Sequence, residues 1–248
     1  MRRADDALQV LDILRTSILA GHMGEVGDAL PPEAELMAAL GAGRNVVREA
    51  LDGLRQEGIV ERVRGAGTFI VTSKLHHRFS TLRAVGSDLE DRDGRIRGEI
   101  LREERLGAPE LVATFLGVAP GELLHRIEVR TFLDDQPCWL TTSYFLPELV
   151  GVTHFVEKNG DWYLALEALG YVLGDSEVVI EAVVAGPGVA TLLCVEVGSA
   201  LMRFERRIFD HHGRPLEIGF VRSRGDKVAL VQTLPRVRLD GMGRPPRG

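Results

Sequence analysis

The chain has 248 residues, close to half of them hydrophobic, and a formal charge of −6 at neutral pH. That length buries a sizeable core in two domains and leaves no room for a largely disordered protein, the last few residues aside. No apolar run reaches the roughly 18 residues needed to span a bilayer and no signal-peptide pattern is present, so a cytoplasmic protein without membrane contact is expected; the acidic balance speaks against a non-specific nucleic-acid coat but not against a local basic patch.

Leu8, Leu11, Leu14 or Arg15, and Ile18 recur at helical spacing and predict a first helix over Ala7 to Ala20, stopped by Gly21. A Gly- and Asp-rich connection, Gly24 to Asp28, leads to Leu30-Pro31-Pro32-Glu33. Proline is tolerated at a helix start because its missing N–H would be unpaired there, and Glu33 and Glu35 suit the positive end of the dipole, so a second helix is predicted over Glu33 to Leu40. Gly41-Ala42-Gly43 then makes a tight turn. In the next stretch Val47, Ala50, Leu51 and Leu54 fall at i, i+3, i+4 and i+7, which buries one stripe of a third helix and turns Arg44, Asn45, Arg48 and Arg55 outward. Guanidinium groups near a helix N-terminus fork onto guanine or phosphate, and an Asn amide matches adenine. Ile59 to Val63 and Thr68 to Val71 read as two strands around Arg64-Gly65-Ala66-Gly67, where glycines let backbone approach a phosphate or groove floor and Arg62 and Arg64 supply charge. Helices joined by a short turn, with a two-stranded wing after them, make a winged helix-turn-helix, placed at 1–75.

Residues 76–97 read as a linker, with a short strand or helix docked on the second domain; the adjacent His76 and His77 do not have metal-ligand spacing. From Ile100 the chain repeats itself with an offset of 77: Val112-Ala113-Thr114-x-Leu116-x-Val118-x-x-Gly121 recurs as Val189-Ala190-Thr191-x-Leu193-x-Val195-x-x-Gly198, and Leu124-x-Arg126-x-Glu128-x-Arg130-x-Phe132 as Leu201-x-Arg203-x-Glu205-x-Arg207-x-Phe209. Each copy reads strand, short helix, strand, turn, strand, with a helix over Asp161 to Leu169 between them. The expectation is an α+β domain at 98–240 whose antiparallel sheet has pseudo-symmetric halves, and a tail at 241–248. Strand alternation puts Ile127, Val129 and Leu133 in the core and Arg126, Glu128, Arg130 and Phe132 on the other face. That charged face is either a ligand-holding surface or a solvated face laced with salt bridges. Cys138 and Cys194, in apolar surroundings without Cys-x-x-Cys spacing, read as reduced core residues, and no cofactor or metal is expected.

The runs Leu30-Pro31-Pro32-Glu33-x-Glu35-Leu36, Gly43-Arg44-x-Val46-Val47-Arg48-Glu49-Ala50-Leu51, Glu57-Gly58-Ile59-Val60 and Arg64-Gly65-Ala66-Gly67-Thr68-Phe69 resemble the N-terminal domain of the GntR family of bacterial transcriptional regulators over about residues 7 to 71. The resemblance implies DNA contacts from Arg44 and Arg48, with Gly65 and Gly67 placing the wing tip in the minor groove; the residues themselves add Arg64 as wing charge and Asn45 as a reader of bases. Gly43, Val46, Pro32 and Ala34 depart from the family's usual Ser or Thr, Thr, Ser and Arg, which removes hydroxyl contacts and one expected DNA contact. Backbone amides at Gly43 can still cap a phosphate.

Residues 98 to 238 resemble the UTRA effector-binding domain of the HutC subfamily, a fold similar to chorismate lyase. The resemblance rests on the Leu-x-Val-x-x-Gly to Arg130 strand, Tyr144-Phe145-Leu146-Pro147, and Pro215-Leu216-Glu217 running to Arg224-Gly225-Asp226. It implies an effector pocket lined by Arg130, Thr141, Ser143, Glu217 and Arg224. Phe132 and Thr141 stand where phosphosugar sensors often carry Arg and Glu, which points to a less anionic or partly apolar effector. The whole reads as a homodimeric, ligand-responsive repressor of a double-stranded DNA operator. A regulator whose second domain only dimerises is the alternative, and an enzyme is not expected because no Ser/His/Asp or Cys/His constellation is present.

Overall fold

A computed structural model of the chain describes residues 2–71, 75–78, 96–149, 151–152 and 162–232, and the chain divides into two compact units, Met1–Leu75 and His76–Gly248. The first unit contains α1 (Arg2–Leu19), α2 (Glu33–Leu40), α3 (Arg44–Gln56) and a hairpin of β1 (Val60–Val63) and β2 (Gly67–Ile70). Its core joins Val10, Leu14 and Ile18 of α1 to Leu36 of α2, to Val47, Ala50, Leu51 and Leu54 of α3, and to Ile59, Val60 and Ile70 of the wing. The α3 stripe is the one the spacing predicts.

Helix α1 differs from expectation in its start and its phase. It begins at Arg2, and Leu8, expected inward, is 59 % exposed, while Ala7 and Val10 are buried with Leu14 and Ile18. Spacings of three, four and four residues make Ala7, Val10, Leu14 and Ile18 the inward stripe, and Leu8, Leu11 and Arg15 run along its flank. Arg15 uses that flank to bind Glu57, just past the end of α3, and this partner holds its guanidinium above the ordinary range. The wing also has a third member. Leu30 N–H donates to Thr68 O at 2.7 Å, Ile70 N–H to Asp28 O at 2.9 Å and Gly27 N–H to Ile70 O at 2.8 Å, so the segment before α2 lies along β2 as a short extra strand.

The second unit is built on β4 (Ile96–Gly107), α4 (Glu110–Leu116), β5 (Leu123–Leu133), β6 (Gln136–Phe145), α5 (Trp162–Ala168), β7 (Leu173–Val184), α6 (Pro187–Leu193), β8 (Ala200–Asp210) and β9 (Pro215–Arg224). The long strands form one antiparallel sheet in the order β4-β5-β6-β9-β8-β7. This is the expected α+β architecture: each copy of the repeat supplies an edge strand, a helix and two further strands, and the copies meet at β6 and β9. Strand β3 (Leu75–Arg78), which starts at the last residue of the expected first domain and runs into the expected linker, pairs with β10 (Val228–Val231). Residues 79–95 of that linker and the tail at 241–248 lie outside the described residues.

The tight turn between β5 and β6 holds Asp134 and Asp135 at φ 50° and 61°, the two left-handed residues of a two-residue hairpin loop. The repeat also explains an unusual backbone. Helix α4 ends on Gly117 at φ 67°, and the equivalent position 77 residues on, ending α6, is Cys194 at φ 53°. Cys194 is exposed, which corrects its reading as a core residue: it occupies a left-handed helix cap and does not point into the core; Cys138 on β6 is buried, and burial pushes its thiol up to about 11.

Cross-strand partners share a face of a sheet and neighbours along a strand alternate. One face therefore carries Arg126, Glu128 and Arg130 of β5 with Tyr144, Thr142 and Leu140 of β6, Ile218, Phe220 and Arg222 of β9, and Arg207, Glu205 and Arg203 of β8. Helices α4 and α6 belong to this face: Phe115 of α4 lies under the Arg207 guanidinium at 4.5 Å, and Leu193 of α6 packs with Leu140 and Leu201. The opposite face carries Ile127, Val129, Thr141, Ser143, Phe145, Glu217, Gly219, Val221 and Arg206, and receives α5, whose Trp162 stacks on Phe145 at 5.1 Å between centroids.

Candidate nucleic-acid interface and ligand site

Gly43 is the N-cap of α3, extended at φ −70° and ψ 154°, and its carbonyl accepts from Val46 N–H at 3.0 Å and Val47 N–H at 3.1 Å. Without a side chain it leaves the first-turn amides of α3 without a side-chain cap, next to Arg44 and Asn45 in the chain. Arg44, Asn45 and Arg48 are exposed, as the stripe requires. At the wing tip Gly65 and Gly67 sit at φ 81° and 129°, where any side chain would be strained, with Arg64 exposed beside them. Spacing alone assigns Glu33 only a helix-end role. In the structure its carboxylate also faces Arg48 of α3 at 3.9 Å and Arg62 of β1 at 3.7 Å.

The five residues expected to line an effector pocket do not share a face. Arg130 and Arg224 lie on the helix-covered face. Arg130 binds Glu99 through Nε and Nη2, at 3.0 and 2.6 Å, and reaches Leu192 O at 3.4 Å. Arg224 binds Asp226 at 3.0 and 2.6 Å and reaches Leu193 O at 3.5 Å. Both guanidinium groups thus meet the last carbonyls of α6, where the helix dipole favours a cation, and they dock that helix on the sheet. Burial opposes ionisation of Asp226, but the hydrogen bonds and charge of Arg224 outweigh it and hold the carboxyl below its ordinary range.

The same face is laced with ion pairs in both copies of the repeat. Glu104 pairs with Arg126 at 3.0 Å, and 77 residues on Glu181 pairs with Arg203. Arg126 pairs with Glu128 at 2.5 Å, and Arg203 and Arg207 with Glu205 at 3.5 and 2.9 Å. The repeated Arg-x-Glu-x-Arg strands form a salt-bridge ladder, the second of the two readings the alternation allows.

Thr141, Ser143 and Glu217 do come together, on the opposite face, and all three are buried. Ser143 Oγ donates to Glu217 Oε1 at 2.6 Å, and Arg206, absent from the sequence-derived set, donates to both oxygens of Glu217 at 2.7 and 3.1 Å. The Arg206 guanidinium lies 5.8 Å from the Trp162 ring and 5.6 Å from the Tyr163 ring. Gly219 sits between Ser143 and Arg206 in the register, and a Cβ there would collide with the Glu217 carboxylate, so the network needs a glycine. Arg206 is findable from the string: the repeat aligns it with Val129, a core position, and a charge in a core phase is a signal.

A family model for the UTRA domain matches residues 91–229, and one for bacterial regulatory proteins of the gntR family matches residues 6–70. The chain is 24 % identical over 230 residues to the HTH-type transcriptional repressor NagR of Bacillus subtilis (strain 168), covering 92 % of this chain and 94 % of that one. It is 26 % identical over 174 residues to the mannosyl-D-glycerate transport/metabolism system repressor MngR of Escherichia coli (strain K12), covering 68 % and 70 %. In fold it resembles the crystal structure of PhnF from Mycobacterium smegmatis, with a TM-score of 0.65 at 21 % identity over 91 % of this chain and 99 % of that one.

Proposed function

The chain belongs to the gntR family of bacterial regulatory proteins, in the HutC branch that joins a winged helix-turn-helix to a UTRA domain, and from that premise we propose that it is a cytoplasmic, homodimeric repressor released from an inverted-repeat operator by a small molecule. It is a transcriptional regulator and not an enzyme. The observation that carries the DNA half of the reading is the exposed face of α3: Arg44, Asn45 and Arg48 around an uncapped helix start, beside a wing with glycines at its tip. Arg44 and Arg48 read bases or phosphates there, the α3 amides at Gly43 hold a phosphate, and Arg64, Gly65 and Gly67 enter the adjacent groove. Both relatives are named as repressors, which supports the sign of regulation.

For the effector, the site is Thr141, Ser143, Arg206 and Glu217, with Arg130 and Arg224 fixing the helix behind it. Arg206 and Glu217 cancel in charge, so a buried dianion would stay uncompensated, and a neutral or zwitterionic, hydroxyl-bearing metabolite fits better. MngR is named for a mannosyl-D-glycerate system, and that compound, with many hydroxyls and a single carboxylate, agrees with the hydroxyl-bearing part of this reading and with the exclusion of a dianion. The second reading, a domain that only dimerises, has its own support: Ser143, Glu217 and Arg206 already satisfy one another. A ligand in the operator-weakening state shifts affinity by linkage, with about 1–3 kcal/mol of coupling giving about 5- to 150-fold.

The test has two arms. Against a duplex selected from a random pool by the full-length protein, Arg44→Ala and Arg48→Ala each weaken binding by about 1–3 kcal/mol; parental affinity in both would overturn the α3 assignment. In a thermal-shift titration with sugars, sugar phosphates, amino-acid derivatives and carboxylates, a hydroxylated compound raises Tm, by about 2.7 kcal/mol of stability at a hundredfold excess over Kd, and Glu217→Gln abolishes the shift. No shift from any compound would favour the dimerisation-only reading.

A further inference from the structure

We infer that Glu33 sets the operator specificity of this protein by acting through Arg48 and Arg62, a step that rests on the DNA-binding reading above. Glu33 opens α2, directly after Pro31-Pro32, and its side chain is 32 % exposed. Its Oε1 lies 3.9 Å from Nε of Arg48, on the outer face of α3, and 3.7 Å from Nη2 of Arg62, on the first wing strand. One carboxylate therefore faces a cation from each of the two elements that the winged fold presents to DNA. The three side chains line one cleft with Leu51, Asp52, Arg55, Val60 and Thr68, and Arg55 at its side pairs with Asp52 at 3.6 Å.

That placement has two physical consequences. Exposed pairs at this distance are weak, so Glu33 does not lock either arginine in place. Its charge does lie where a phosphate must come if Arg48 or Arg62 is to contact the backbone, and the contact costs either breaking the pair or bringing two anions together. Non-specific binding consists almost wholly of such phosphate contacts, whereas a specific complex adds base-edge hydrogen bonds that a neighbouring carboxylate does not oppose. On the operator Arg48 turns from the backbone to a base edge, so Glu33 penalises arbitrary duplex, where both arginines must meet phosphates, more than the operator. Backbone chemistry gives it the position: α2 N-terminal amides favour an acid there.

The experiment compares the full-length protein with Glu33→Gln, Glu33→Asp and Arg62→Ala on two duplexes, the pool-selected one and a scrambled one of the same composition, across a salt series. Glu33→Gln raises affinity for the scrambled duplex by about two- to fivefold and steepens its salt slope by up to about one unit, while affinity for the selected duplex changes less. Glu33→Asp keeps parental discrimination, and in an Arg62→Ala background Glu33→Gln has a smaller effect than alone. Unchanged discrimination in Glu33→Gln, or a parallel loss on both duplexes with a lowered Tm, would overturn the inference and leave Glu33 a structural residue. Arg44→Ala and Arg48→Ala controls separate the two levels: if both bind the selected duplex like the parent, the α3 reading fails, and if they bind weakly while Glu33→Gln discriminates normally, only this inference fails.

Discussion

The two copies of the repeat agree on one face of the sheet and part company on the other. On the helix-covered face the pair Glu104–Arg126 of the first copy recurs as Glu181–Arg203 of the second, and Arg-x-Glu-x-Arg is kept on both β5 and β8. On the opposite face Arg206 replaces the core residue Val129, and Glu217 stands where the first copy, allowing for its one-residue shorter turn, has Trp139. Residues that both copies hold to the same partners are those the sheet needs twice. The residues that only one copy carries make a single buried polar cluster, the one proposed above as the effector site.

That contrast predicts unequal costs for similar mutations. Arg206→Met strands a fully buried Glu217 and should destabilise by about 3–5 kcal/mol, whereas Arg203→Ala, removing a rung of the ladder, should cost less than about 1 kcal/mol; urea unfolding measures both, and equal losses would erase the distinction between the faces. The helix caps sharpen the comparison from the other side. Cys194→Gly restores the first copy's residue at a left-handed position and should stabilise by about 1 kcal/mol, and Gly117→Cys should destabilise by a similar amount, both read as shifts in Tm. A smaller effect belongs to Asp226, whose partner Arg224 stands where the first copy has Leu146. The folded pKa of Asp226 is depressed, so its contribution is present above the unfolded value of about 4 and is lost as pH falls through the folded one. Asp226→Asn should flatten stability against pH below about pH 4 and leave the slope near neutrality unchanged.

The fold is legible in the sequence because its signals are local and periodic. The α3 stripe of Val47, Ala50, Leu51 and Leu54 and the offset of 77 are properties of the string itself, and they lead directly to the helix-turn-helix and the six-stranded sheet. Spacing misplaces Leu8 because α1 has apolar residues on its flank as well as its inward stripe, and periodicity alone does not separate the two. The effector set is only half legible. Spacing says which residues of one strand share a face, but Arg130 and Glu217 stand on different strands far apart in the chain, and only the pairing of β5, β6 and β9 reveals that they point apart. Cys194 passes for a core residue because a left-handed cap is invisible without its partner Gly117 in register. Glu33 escapes notice for a similar reason: its two cations are 15 and 29 residues away, on elements that only tertiary packing brings to it.

The segment Gly27 to Leu30 is hydrogen-bonded along β2, and α2 starts three residues after it. The wing is thereby stitched to the helix pair from both ends of its sequence, and its tilt is not a free hinge angle. The chain between Gly21 and Glu25 touches the core only through Met23 and can lengthen with the stitch kept in register, whereas one residue inserted between Asp28 and Leu30 would slip the stitch, and one between Leu30 and Glu33 would shift α2 against the wing. Length variation among proteins with this head should accordingly pile up just after the first helix and vanish over the five residues before the second.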